Sequence, residues 1–176
     1  MPIVLPIPAG AAGPPPAQPR IDGPAGSRPL GSLRPGLRFA DGALVRWVGR
    51  RRLRARTTAE APIRLRRGAL GPGVPSAEVT VSPEQPIQPD ADGPPVPARA
   101  LLGRPGIAPV VGGDMLFVHA IFDRPTTIRV NGCPVRGATL DDLATSAPSR
   151  VGRTALLRLF PELVTLRISA PAAAPA

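Results

Sequence analysis

The stretch "DMLFVHAIFDRPTTIRVNGCPV" (residues 114–135) decides how the chain reads. Its first ten residues are apolar on both parities, with Leu116, Val118, Ala120 and Phe122 on one and Met115, Phe117, His119 and Ile121 on the other. A run of this length, bounded by Gly112-Gly113 and by Asp123-Arg124-Pro125, suits a central strand covered on both faces. The segment 126–130 then leads into Asn131-Gly132, a pair that tolerates positive φ and favours a tight type I′ hairpin before Cys133-Pro134-Val135. A doubly covered strand feeding a hairpin predicts sheet structure.

Working outward, "ALVRWVG" (43–49) alternates as a strand, with Val45 and Trp47 on one face and Arg46 on the other. "PIRLRR" (62–67) places Ile63 and Leu65 inward and Arg64 and Arg66 outward, and "AEVTVS" (77–82) repeats the pattern with Val79 and Val81. These read as half-exposed strands. One segment alone looks helical: in "PSRVGRTALLRLFPEL" the residues Val151, Ala155, Leu156, Leu159 and Phe160 form one stripe, Ser149 offers an N-cap and Pro161 a stop. The expectation is an all-β fold closed by one short helix at about 149–160. Seven prolines within the first nineteen residues favour an extended or disordered arm over 1–19, so the β domain is expected over 20–165, with a tail at 166–176.

Composition narrows the function classes. The chain has 27 prolines and 19 glycines among 176 residues, which disfavours long helices. Its formal net charge is +10, and all 22 cations are arginines. The absence of lysine and tyrosine, with Asn131 the one asparagine, fits coding from GC-rich DNA. Such a charge is either a solvated surface or the footprint of an anionic partner such as nucleic acid. One cysteine, Cys133, excludes an intramolecular disulfide and a Cys-rich zinc site. No apolar run approaches the roughly 18 residues of a membrane span. The apolar start "MPIVLPIPAG" lacks a cationic region and is broken by proline, so no signal peptide is expected. No cofactor or metal is expected, and neither a protein partner nor an oligomeric state can be named.

An ordered set of phrases runs along the chain: "RPLGSLRPG" (28–36), "VRWVGRRRL" (45–53), "PIRLRRGALGPGVPSAEVTVSPEQ" (62–85), "PVPARALL" (95–102), "FVHAIFDR" (117–124), "NGCPVRG" (131–137) and "LFPEL" (159–163). Together they resemble the bacterial version of the Hint domain, the fold of hedgehog autoprocessing domains and inteins. The resemblance implies a compact, horseshoe-like all-β domain. It also implies a chemistry: an N-terminal cysteine attacks the preceding carbonyl to form a thioester, while a histidine in a Thr/Ser-x-x-His block polarises the bond and protonates the departing amine.

The chain departs from that pattern at the chemical positions. The nucleophile would fall near Pro14 to Pro16, yet no Cys, Ser or Thr precedes Ser27. The block reads Ser82-Pro83-Glu84-Gln85, with Gln85 in the histidine position, and an amide exchanges no proton near neutral pH. Pro125 follows "FDR", where bacterial members often carry another histidine, and Leu37 replaces the aspartate of the family's "LRPGD". What remains of the pocket is Ser82 and Gln85, with His119, Asp123 and Arg124 as vestigial candidates. The resemblance therefore implies a scaffold that has lost self-cleavage and acts as a structural or interaction module.

Two other functions compete with this one. Nine arginines crowd residues 46–67 against the single acid Glu60; Arg50, Arg51, Arg52, Arg64, Arg66 and Arg67 would contact phosphates if they shared a face. A self-processing enzyme would need an unusual nucleophile such as Ser27 or Ser32. His119, set between Phe117 and Ile121, reads as a buried neutral imidazole, and Cys133 as either a reactive thiol or a small buried hydrophobe. "VNGC" lacks the intein splice junction's histidine and has Gly132 intervening. The aspartates 22, 41, 90, 92, 141 and 142 sit beside glycine, proline or small residues as turn and cap formers. "GALGPGVP" lacks the lysine of a phosphate loop.

Overall fold

A computed structural model describes residues 3–6, 18–23, 26–54, 61–90, 92–112, 114–144 and 161. Its strands are β1 (Ile3–Pro6), β2 (Arg20–Gly23), β3 (Gly26–Pro29), β4 (Val45–Arg54), β5 (Ile63–Leu65), β6 (Val79–Val81), β7 (Pro86–Ile87), β8 (Val96–Pro97), β9 (Ile107–Pro109), β10 (Asp114–Phe122), β11 (Thr127–Val130), β12 (Cys133–Arg136) and β13 (Ala138–Thr139). One short helix, α1 (Leu140–Ala144), follows. The fold is all-β, as the sequence predicts.

Two sheets carry it. In the first, β10 is flanked by β4 on one edge and by β1 and β13 on the other, and the order continues from β1 through β6 and β5 to β9. The second runs β3-β2-β11-β12-β7-β8. As expected from its apolar run, β10 is buried on both faces: Val118, Ala120 and Phe122 join the main core, while Met115, Phe117, His119 and Ile121 are buried too. The buried Val, Met, Phe and Ile side chains among them each contribute roughly 1.5–3 kcal/mol. Between Ile121 and Phe122 the register shifts and Arg46 drops out of the pairing, a bulge that breaks the simple alternation of Val45 and Trp47.

Other expectations are corrected. β6 is not half-exposed: Val79, Thr80 and Val81 are all buried, because β6 has β1 on one edge and β5 on the other. Of the segment expected as an arm over 1–19, the described Ile3–Pro6 forms a strand between β10 and β6. The helix expected at 149–160 and the tail at 166–176 lie outside the described residues. A helix the sequence did not suggest begins at Leu140, where Thr139 Oγ1 accepts from the Asp142 amide at 3.2 Å and Asp142 Oδ2 accepts from the Thr139 amide at 2.9 Å. That reciprocal pair caps the helix N-terminus.

The Asn131-Gly132 turn forms as predicted, with φ of 47° and 76° and Val130 paired to Cys133. Asn131 does more than turn the chain. Its Oδ1 accepts from the Arg20 amide at 2.8 Å, its Nδ2 donates to the Glu78 carbonyl at 3.0 Å, and its own carbonyl accepts from the Ser76 amide. One side chain thus pins the edge of β2 and the approach to β6 onto the hairpin. We expect Asn131→Ala to lower the unfolding free energy by about 1–3 kcal/mol, through lost hydrogen bonds and a strained positive φ. Chemical denaturation would measure it, and a change below about 0.5 kcal/mol would contradict the role.

Candidate functional site

Gln85 closes the turn that follows β6 and is fully buried. Its backbone amide donates to the Ser82 carbonyl at 3.0 Å, and its carbonyl accepts from the Ala98 amide at 2.9 Å. Its side chain reaches across to the other sheet, where Nε2 donates to the carbonyls of Arg136 at 2.9 Å and Pro86 at 3.3 Å. Both neighbours are acceptors, so the amide must present its nitrogen to them. Gln85 Oε1 and Ser82 Oγ have no hydrogen-bond partner among the described residues.

A chain of hydrogen bonds continues from there. Next to Arg136, the Gly137 amide donates to the Thr126 carbonyl at 2.9 Å, and Thr126 Oγ1 donates to Asp41 Oδ2. Gly137 is obligatory at this crossing, since a Cβ there would stand 2.6 Å from the Phe122 ring. Arg124 Nη2 donates to the Asp41 carbonyl at 2.8 Å. Asp123 Oδ1 accepts from the Leu44 amide at 2.8 Å, and the Asp123 amide donates back to the Leu44 carbonyl. Asp123 and Arg124 therefore serve to fasten the segment 41–44.

His119 stands apart. Strand alternation puts it on the face of Met115 and Phe117, opposite Val118 and Ala120 of the main core. It is fully buried and tilted against Trp47, with ring centroids 6.2 Å apart. The structure links Gln85 to Asp123 and Arg124 through a few bonds and leaves His119 on the far face of β10. The nucleophile position near Pro14 to Pro16 lies outside the described residues. Leu37 packs half-buried against the core, and Pro125 is exposed.

The sequence reading missed Asp41. Its carboxyl is held below the ordinary aspartate range first by the Thr126 hydroxyl, then by the Ala43 amide, with Arg124 adding a smaller electrostatic pull. The spacing "DGA" hinted only at a turn. The buried Cys133 is the opposite case, because desolvation pushes its thiol up to about 12, which suits a small buried hydrophobe and not a nucleophile.

The arginine run is divided by the fold. The register carries Arg51 through Phe117, Val4 and Thr80 to Arg64, a separation of four strand spacings or about 19 Å. Arg50 and Arg52 fall on the face opposite Arg51. Arg50 is spent on structure, donating to the carbonyls of Leu33 at 2.6 Å and Gly31 at 3.0 Å. Arg64 lies 4.0 Å from Glu78, and Arg66 and Arg67 are exposed beyond β5.

This order of elements, with the buried Ser82 to Gln85 turn between the two sheets, can be set beside known families. The family model for the Hint domain matches residues 17–141. The chain belongs to the Hint-domain family. No curated protein and no solved structure matches it. Within this Hint domain, no three His, Cys, Asp or Glu side chains among the described residues could hold a metal ion together, and no described helix is long and apolar enough to cross a membrane.

Two outcomes follow from the site geometry. Gln85→Met should cost about 1–3 kcal/mol, because the Arg136 carbonyl is left without its side-chain donor. Gln85→Glu should be worse at neutral pH than near pH 4, since a carboxylate facing two carbonyls takes up a proton on folding and its burden grows as pH rises; a flat pH response in thermal unfolding would refute this. Asp41 carries the opposite sign. A depressed folded pKa stabilises above the ordinary aspartate value of about 3.9 and is lost as pH falls through the folded value, so Asp41→Asn should flatten the acid limb of the stability profile.

Proposed function

We propose that this Hint domain does not perform the acyl shift of its family and serves as a structural or interaction module. The observation that carries the reading is Gln85. A general acid in that seat must hold a proton it can release, whereas the amide hydrogens of Gln85 are committed to the carbonyls of Arg136 and Pro86. Its contribution is to join the turn after β6 to β12, which is a structural service.

The remaining chemical positions support the same conclusion. No Cys, Ser or Thr occurs before Ser27. The Ser27 hydroxyl accepts from Arg20 Nε at 3.1 Å and the Ser32 hydroxyl donates to the Pro29 carbonyl at 2.7 Å, so each is engaged within its own turn. Self-processing through either is the less supported alternative. Nucleic-acid binding through residues 46–67 has less support still, because Arg50 and Arg64 have structural partners and Arg51 and Arg64 stand several strands apart.

Intact-mass measurement under denaturing conditions tests the reading. After prolonged incubation with an excess of small thiol, the full 176-residue chain should be the sole species. A fragment boundary near residues 14–17 would overturn it. A boundary at Ser27 or Ser32 that vanishes in Ser27→Ala or Ser32→Ala would instead establish an unusual nucleophile.

A further inference from the structure

The first sheet contains a strand that the Hint match does not include. β1 lies upstream of residue 17, where the match begins, yet it occupies the middle of the sheet. On one edge its register is Ile3 to Val118, Val4 to Phe117, Leu5 to Leu116 and Pro6 to Met115. On the other it is Ile3 to Val81 and Val4 to Thr80. Both pairings are antiparallel, so β6 and β10 run parallel to one another with β1 between them.

The body thus presents a slot with two hydrogen-bonding walls. Along it stand the buried Met115, Phe117, Val118, Thr80 and Val81. Backbone groups inside a covered sheet must be paired, and each one left unpaired costs about 1–3 kcal/mol, which offsets the ordering of a four-residue strand. Any occupant must therefore be an extended segment with free amides, and β-branched residues suit it best. Ile3 and Val4 have that character, and Pro2, Pro6 and Pro8 lack the amides needed to lengthen the ladder.

We propose that the slot between β6 and β10 is a peptide-binding groove in which residues 3–6 dock as a strand, so that the N-terminal segment stays with the domain even after the connecting chain is severed. The ligand class is an extended apolar peptide taken by strand addition. Retention needs no covalent link between residues 6 and 18, because the ladder on each side joins β1 to the body directly. The N-terminal segment is retained whether or not the domain cleaves itself.

The experiment uses the full chain with residues 9–13 replaced by a site for a specific protease. After complete cleavage, verified on a denaturing gel, the N-terminal fragment should co-elute with the body in gel filtration and appear bound in native mass spectrometry. Val4 faces a strand on both edges, so Val4→Pro should lower the retained fraction by about tenfold or more through lost ladder bonds. A second measurement guards against a variant that fails to fold: in the cleaved parent protein, the amides of residues 80–81 and 115–118 should stay protected from hydrogen exchange. Release of the parent fragment at micromolar concentration, or loss of that protection on cleavage alone, would overturn the proposal.

Discussion

The structure depends on the burial of β10 from both sides. A strand covered on both faces has no solvent for its backbone, so each edge must be paired along its length. β4 supplies one edge for the whole strand, while β1 and β13 divide the other. That requirement explains why a four-residue, proline-bounded segment becomes a central strand, and why an arginine-rich stretch is drawn into a ten-residue strand. Arg50, Arg51, Arg52 and Arg54 are exposed on this strand, and Arg50 turns its guanidinium to the Leu33 and Gly31 carbonyls.

The two sheets are joined by polar atoms as well as by the core. Gln85 spans from the turn after β6 to β12, and Asn131 spans from the hairpin to β2 and to the backbone before β6. Both use side-chain amides, which can donate without carrying charge into a buried site. An imidazole in the seat of Gln85 could make a similar bond to the Arg136 carbonyl and also exchange a proton. The amide makes the structural bond and has no proton to exchange near neutral pH. Fold and proton transfer thus draw on different properties of a side chain in this seat.

Charge is distributed on a similar logic. Arg50 holds the turn around Leu30 to Leu33, Arg124 fastens the Asp41 loop, and Arg136 meets Asp142 at the start of α1 at 3.3 Å. A sequence so rich in one cation invites an electrostatic explanation, but several of these side chains work as hydrogen-bond forks to backbone carbonyls. Exposed ion pairs such as Arg64 with Glu78 add at most about 1 kcal/mol each.

Sequence by itself determined the local features. The two-faced apolar run of β10, the inward Ile63 and Leu65 of β5 and the Asn131-Gly132 turn are set by side chains a few residues apart, and they read correctly. That residue 85 is a glutamine, whose side chain has no proton to exchange near neutral pH, is likewise a matter of residue type. What only the tertiary structure decided were pairings across long separations. Thr80 is buried because of the strands beside it, Ile3–Pro6 is a strand because β6 and β10 need one, and Gln85 is a staple because Arg136, 51 residues away, offers a carbonyl. No local pattern encodes such contacts, because their free energy is realised only when both partners are in place.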